Sequence, residues 1–218
     1  MIDASVELYW LPLGAGGHLV RWNGKMFEAL AARRAGRRRC ELFHAALEVN
    51  VPDGRFVIEQ APAWGAGSGR GVVAEGPVGL RFLGHLRFFR YEIRRWRDGV
   101  IPDLAEAVDS PRRLDAEPMR AQRLLELVAD VPTAVWGRDE LGAGEMWNSN
   151  SVIAWLLATG GFEVDSIRPP AGGRAPGWAA GITVARRCGQ SDPRRPLAPS
   201  RQRGEAEHSS IDAEGGAG

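Results

Sequence analysis

Two segments of the chain carry residues that could perform acyl-transfer chemistry. The first is residues 148–157, where Asn-Ser-Asn-Ser leads into an apolar run that contains Trp155. Small polar residues are good helix N-caps, and this apolar run predicts a helix that is buried on nearly every side. Free backbone N–H groups and the positive end of the helix dipole meet at such a helix start. The hydroxyl of Ser149 could therefore act as a nucleophile beside an oxyanion hole, or it could simply cap the helix.

The second segment is residues 43–60, in which two β-prone runs flank a Pro-Asp-Gly turn signal at 52–54. This pattern predicts a β-hairpin. His44 lies at the start of the first strand, and Glu59 and Gln60 lie at the end of the second. An imidazole and a carboxylate on adjacent strands are the residue types that activate a hydroxyl nucleophile.

The register of this hairpin decides which side chain faces His44. If Val51 pairs with Gly54, one face is apolar and Glu59 shares the other face with His44. If Gly54 instead forms a bulge, the pairing slips by one residue and Gln60 shares that face. We favour the first register because its apolar face is cleaner, so Glu59 is the predicted partner of His44.

These features together resemble the permuted papain-like fold. They are similar to the circularly permuted branch of the NlpC-type peptidase superfamily, which includes the lecithin retinol acyltransferase-like proteins. In that branch a histidine on a strand precedes the nucleophile helix, which begins with Asn-Cys and continues into an apolar run with an aromatic residue. Residues 148–156 fit this frame, and the resemblance covers roughly residues 40–160.

The resemblance implies a site as well as a fold. It places Ser149 at the nucleophile position, His44 at the base and Glu59 at the orienting residue. The implied reaction is hydrolysis or transfer at an amide, ester or thioester of a small-molecule, lipid or peptide substrate. Serine replaces the family's cysteine here, and a serine needs an aligned base to remove its proton. The predicted substrate-binding residues are Asn148, Trp147 and Trp64.

Two rival functions stay open at this point. The chain could be a non-catalytic binding domain on the same scaffold, with a groove lined by Trp64, Trp147 and the aromatic residues of 88–96. It could also be a structural or interaction protein in which Ser149 only caps a helix and His44 is an ordinary strand histidine. A Cys40–His44 dyad is disfavoured, because four residues of extended chain span more than about 10 Å.

Length and composition limit the number of domains and the classes of ligand that we expect. The chain has 218 residues, 44% of them hydrophobic, and a formal net charge of +1. This length predicts one domain with one sizeable core, and the charge gives no strong field for nucleic acid or for an anionic membrane. The two cysteines and four histidines show no metal-ligand spacing, and no phosphate-binding glycine motif is present, so we expect no metal or cofactor. Neither a signal peptide nor a membrane-spanning run is visible, which predicts a cytoplasmic protein.

The pattern of elements predicts an α+β fold, with an antiparallel sheet packed against helices. We expect a single domain over residues 1–188 and a disordered tail over 189–218, because the tail is almost without apolar residues. Besides the hairpin, the predicted strands are Val6–Leu13, Val72–Glu75, Leu86–Trp96 and Ala179–Ala185. The predicted helices are Lys25–Arg34, Pro118–Asp130 and the helix that begins near Ser149 and ends at Gly160-Gly161.

Overall fold

The computed structural model describes residues 3–13, 32–34, 36–63, 69, 71–101, 103–114 and 117–190. The strands are β1 Ser5–Pro12, β2 Glu41–Val51, β3 Gly54–Pro62, β4 Val72–Pro77, β5 Arg90–Arg97, β6 Val108–Leu114 and β7 Gly173–Arg174. The α-helices are α1 Pro118–Leu127, α2 Ser149–Thr159 and α3 Trp178–Gln190. Short 3-10 turns cover Arg81–His85, Arg87–Phe89, Leu104–Glu106, Val128–Asp130 and Val164–Ser166.

The strands form one seven-stranded sheet in the order β4-β5-β3-β2-β1-β6, with β7 added beside β2. Neighbours along this order pair antiparallel, and only the short β7 runs parallel to its partner. The predicted α+β class with an antiparallel sheet is therefore confirmed. None of the helices within the described ranges is long and apolar enough to cross a lipid bilayer.

The β2–β3 hairpin has the register that its apolar pattern favoured. Val51 pairs with Gly54 and Leu47 pairs with Ile58, without a bulge. The φ angle of Gly54 is +137°, a conformation that suits glycine at the tight end of the hairpin. Because side chains alternate along a strand, this register fixes which residues of both strands share a side of the sheet.

One side of the sheet packs against the helices, and we call it the helix side. Its core includes alternate residues of the central strands, namely Leu8, Trp10, Phe43, Ala45, Leu47, Ile58 and Ile93, together with Val152, Ile153, Leu156 and Leu157 of α2. The opposite side, which we call the far side, has a smaller apolar cluster of Tyr9, Leu11, Ala46, Val57 and Ile101. Burial of the larger apolar surface on the helix side supplies the main driving force for the fold.

Helix α3 lies directly on α2. A Cβ atom at Gly181 would lie 2.2 Å from the backbone oxygen of Ser151, so only glycine permits this approach. The segment Ala179–Ala185 was predicted as a strand because Ile182, Thr183 and Val184 are β-branched, and this prediction was wrong. Packing of α3 on α2 outweighs that local preference.

Two other elements differ from their predictions. The predicted strand at 86–96 begins only at residue 90, and the residues before it form the turns Arg81–His85 and Arg87–Phe89. Strand β6 was not predicted, because Pro111 interrupts its pattern; a proline is tolerated there since β6 lies at an edge of the sheet. The Lys25–Arg34 helix prediction falls mostly outside the described residues, as does the tail prediction beyond Gln190.

Candidate functional site

The start of α2 is organised by a capping box. The Asn148 side chain accepts hydrogen bonds from the backbone N–H groups of Asn150 (2.9 Å) and Ser151 (3.3 Å). The Ser151 hydroxyl in turn accepts the backbone N–H of Asn148 at 3.1 Å. These bonds satisfy N–H groups that would otherwise lack partners at a helix start. Asn148 was predicted to bind substrate, and its side chain is instead engaged in capping.

The same polar residues fasten α2 to the sheet and to the loop before α3. The Asn150 side-chain amide donates to the backbone oxygens of Phe43 on β2 and of Pro176, each at 2.9 Å. The Ser151 hydroxyl donates to the Gly177 oxygen at 2.8 Å. Gly177 has a φ of +84°, and a Cβ there would overlap the Asn148 side chain. The start of the helix is therefore built into the core by a buried polar network.

Ser149 is the first residue of α2 and is buried. Within the described part of the chain, its hydroxyl makes no hydrogen bond to an imidazole or a carboxylate. The network around it is made of amides, hydroxyls and backbone groups, together with the Glu145 carboxylate, which accepts the backbone N–H of Gly177 at 2.9 Å. Glu145 is engaged by Gly177, and no imidazole or carboxylate among the described residues is hydrogen-bonded to the Ser149 hydroxyl.

His44 lies on the far side of the sheet. It pairs with Leu11 of β1, a member of the far-side cluster, while its neighbours Phe43 and Ala45 point into the helix-side core. Since α2 packs on the helix side, the structure does not bring His44 and Ser149 together. Burial lowers the pKa of His44 from 6.5 to about 4, and the charge of nearby Asp103 opposes this shift only in part. The imidazole is accordingly neutral near pH 7.

Glu59 lies on the same side as His44, as the favoured register predicted. Its carboxylate accepts a hydrogen bond from Arg94 at 2.9 Å, and the same guanidinium contacts Glu92 at 2.8 Å. All three side chains are buried. A buried guanidinium between two carboxylates is a structural ion cluster, and it engages Oε1 of Glu59, the residue that was predicted to orient His44.

Gln60, the alternative partner in the slipped register, faces the helix side beside Ile93. Both polar atoms of its amide are buried and have no hydrogen-bond partner among the described residues, and the same holds for Oδ1 of Asn150. A buried amide without partners costs free energy, so such groups commonly mark a water or ligand position. The sequence pattern indicated Gln60 only as an alternative partner of His44, from which its side chain points away.

The two predicted tryptophan contacts have different outcomes. Trp147 is buried in the helix-side core, so it packs inside the domain rather than lining an open groove. Trp64 lies outside the described residues. Cys40 accepts a hydrogen bond from Arg37 at 3.4 Å and is unrelated to the start of α2. No group of three metal-ligating side chains occurs in the described ranges.

An exposed apolar surface lies elsewhere, on the two 3-10 turns before β5. We call residues 80–89 the aromatic segment. Its exposed fractions are 42% for Leu80, 67% for Phe82, 56% for Leu86, 67% for Phe88 and 37% for Phe89. From the sequence, only Phe88 and Phe89 of this surface were expected to line a groove, and residues 86–96 were predicted to form a strand because their side chains alternate with a period of two.

The comparisons with known proteins add no relative. No protein-family model matches the chain, and no curated protein or solved structure matches it.

Proposed function

We propose that this chain is a non-catalytic binding domain on a permuted papain-like scaffold. Support for the scaffold comes from α2, which is buried against the central strands and begins with a polar residue set beside β2. In the fold that the sequence resembles, that helix start carries the nucleophile. Here the same position holds capping residues bonded to one another, so the scaffold would serve architecture instead of chemistry.

The observation that carries this proposal is the position of His44 on the opposite side of the sheet from Ser149. A general base must come within about 3.2 Å of the proton it removes, directly or through one water. Adjacent side chains of a strand point to opposite faces, and here Phe43 rather than His44 points toward α2. Glu59 is on the far side as well, held by Arg94. Ser149 therefore lies on the opposite side of the sheet from both His44 and Glu59.

The aromatic segment supports the binding part of the proposal. Large apolar side chains that cluster in solvent on a folded domain generally mark an interaction surface. Five of the large exposed apolar residues lie within this one stretch of ten positions. None of these five residues belongs to the helix-side core or to the far-side cluster.

A hydrolase or acyltransferase acting through Ser149, His44 and Glu59 is the second candidate. One observation favours chemistry at the helix start: Gln60 and Asn150 leave buried polar atoms without described partners on the helix side. A ligand carbonyl or water could pair with these atoms. For this second candidate we also propose a cytoplasmic location and a small-molecule, lipid or peptide substrate.

A fluorophosphonate labelling experiment separates the two candidates, because the probe modifies only activated serines. We expect no labelling of the purified protein above that of Ser149→Ala, while a known serine hydrolase in the same tube reacts fully. Labelling that disappears in Ser149→Ala and in His44→Ala would establish the hydrolase. Labelling that disappears in Ser149→Ala alone would mean that another group activates the serine, and would also end the non-catalytic proposal.

Binding of the dye bis-ANS tests the proposed interaction surface. We expect the double variant Phe82→Ser and Leu86→Ser to lose most of the dye fluorescence of the unmodified protein. The matched control is Val100→Ser with Met119→Ser, two residues that are as exposed but lie outside the aromatic segment. Equal dye binding by all three proteins would show that residues 80–89 do not form a distinct apolar surface.

A further inference from the structure

We infer that the aromatic segment binds the surface of an anionic lipid bilayer. This inference rests on the proposed binding function and names its partner. Neither 3-10 turn buries any of its residues, so the side chains of Phe82, Leu86 and Phe88 project outward.

The segment is held firmly at both ends. The backbone N–H of Val78 donates to the Phe89 oxygen at 2.8 Å, which closes the segment into a loop. The N–H of Gly79 donates to the Trp136 oxygen at 2.9 Å. The apolar side chains are therefore presented by an anchored backbone, which lowers the entropy lost when they bind.

The charge of the aromatic segment indicates what kind of partner it binds. Residues 78–90 contain Arg81, Arg87 and Arg90, and no aspartate or glutamate. Arg81 pairs with Glu140 at 2.6 Å and Arg90 pairs with Glu75 at 3.1 Å, both at the protein surface. Exposed pairs of this kind contribute little stability, so Arg81 can exchange the Glu140 carboxylate for a phosphate. Arg90 also donates to the Gly84 oxygen, which holds its side chain beside the turn.

Aromatic side chains flanked by arginines match the bilayer interface. Phenylalanine and leucine side chains enter the boundary between headgroups and acyl chains, and arginines are attracted to anionic headgroups. A protein partner would need a groove that is both apolar and acidic to match projecting side chains. The net charge of the whole chain is only +1, so the attraction has to come from this local set of arginines.

Co-sedimentation with vesicles tests the inference. The purified protein is mixed with vesicles of phosphatidylcholine alone and with vesicles that also contain phosphatidylglycerol. We expect binding to the anionic vesicles, little binding to the neutral ones, and weaker binding at high salt, since the Debye length falls from about 10 Å at 0.1 M to about 3 Å at 1 M.

Variants show whether the aromatic segment is responsible. Phe82→Ser with Leu86→Ser should weaken the vesicle partition coefficient at least about tenfold, because buried apolar area drives insertion. Arg81→Gln should weaken it about fivefold, since each cation near an anionic surface contributes about 1 kcal/mol. Arg186→Gln, which removes another exposed, ion-paired arginine outside the segment, should leave it unchanged. Far-UV circular dichroism confirms that each variant is folded.

Three outcomes would overturn the inference: no binding to anionic vesicles, equal binding to neutral ones, or equal losses in Phe82→Ser with Leu86→Ser and in Arg186→Gln. If vesicle binding fails while bis-ANS still reports on residues 80–89, the lipid inference is wrong and the binding domain stands. Serine labelling in the fluorophosphonate experiment would instead remove the binding proposal itself. Loss of a self-associated species in the double variant, without vesicle binding, would identify a second copy of the chain as the partner.

Discussion

The two sides of the sheet are built from different chemistry. The helix side is an apolar core with a network of polar side chains at the start of α2. The far side combines a small apolar cluster with the titratable His44 and the buried ion cluster of Glu59, Glu92 and Arg94. The hydroxyl of Ser149 and the imidazole of His44 are thus both present, but they lie on opposite sides of one sheet.

This difference teaches that residue types alone do not define a catalytic site. A proton can pass between two groups only if both project into the same space. The apolar face of the hairpin, which carries Leu47 and Ile58, must bury itself against the apolar helix α2. The side that carries His44 and Glu59 therefore had to point away from Ser149. The apolar pattern that predicts the hairpin therefore also places His44 and Ser149 on opposite sides of the sheet.

The largest expected effect concerns the buried charges of the far side. Replacing Arg94 with Met removes the cation between Glu59 and Glu92, and we expect a loss of about 3–5 kcal/mol of stability, as is typical when a buried ion pair is broken. Arg186→Met is the control, since its pair with Asp165 has side chains 56% and 71% exposed and should contribute less than about 1 kcal/mol. Urea unfolding measures both. Equal small losses would mean that the far side is open to solvent.

The next effect is the pH dependence that His44 confers. Its pKa is about 4 in the folded protein against 6.5 when unfolded, so the unfolded chain binds more protons between these values. Stability contributed by the neutral imidazole is therefore complete above pH 6.5 and is lost as the pH falls toward 4. We expect up to about 2 kcal/mol of loss between pH 7 and pH 5.

Urea unfolding at pH 7 and pH 5 measures this loss in the unmodified protein and in His44→Gln. The variant should lose less stability between the two pH values, because glutamine does not titrate in this range. If the two proteins lose stability in parallel, His44 is solvated and the far side does not exclude water from it.

The smallest effects separate capping from chemistry at the start of α2. Asn148→Ala should cost about 0.5–2 kcal/mol, because its side chain caps two backbone N–H groups. Ser149→Ala should change stability by less than about 0.5 kcal/mol, since its hydroxyl makes no hydrogen bond within the described residues. Thermal unfolding compares the two variants. A larger loss in Ser149→Ala would show that this hydroxyl is bonded in the folded protein.

Local patterns predicted the elements that their own residues determine. The hairpin register follows from alternating apolar residues, and the start of α2 at Ser149 follows from its capping residues. The end of α2 was also predicted from Gly160 and Gly161, and Gly161 has a φ of +82°. Each of these signals acts within a few residues of the feature it determines.

Features set by tertiary contacts could not be predicted in this way. Helix α3 forms despite β-branched residues because Gly181 lets it rest on α2. The exposed turns of the aromatic segment have the composition of a half-buried strand, and only the fold shows that nothing in the described chain covers Phe82.

The bonds of Asn150 also have a kinetic consequence. Its contact with Phe43 joins residues 107 positions apart, whereas the β2–β3 hairpin pairs residues across a two-residue turn. Closing a long loop costs more chain entropy than closing a short one, and contacts between distant residues slow folding. The hairpin should therefore form before α2 docks on it. Mutations at Asn150 should consequently accelerate unfolding while leaving the folding rate nearly unchanged.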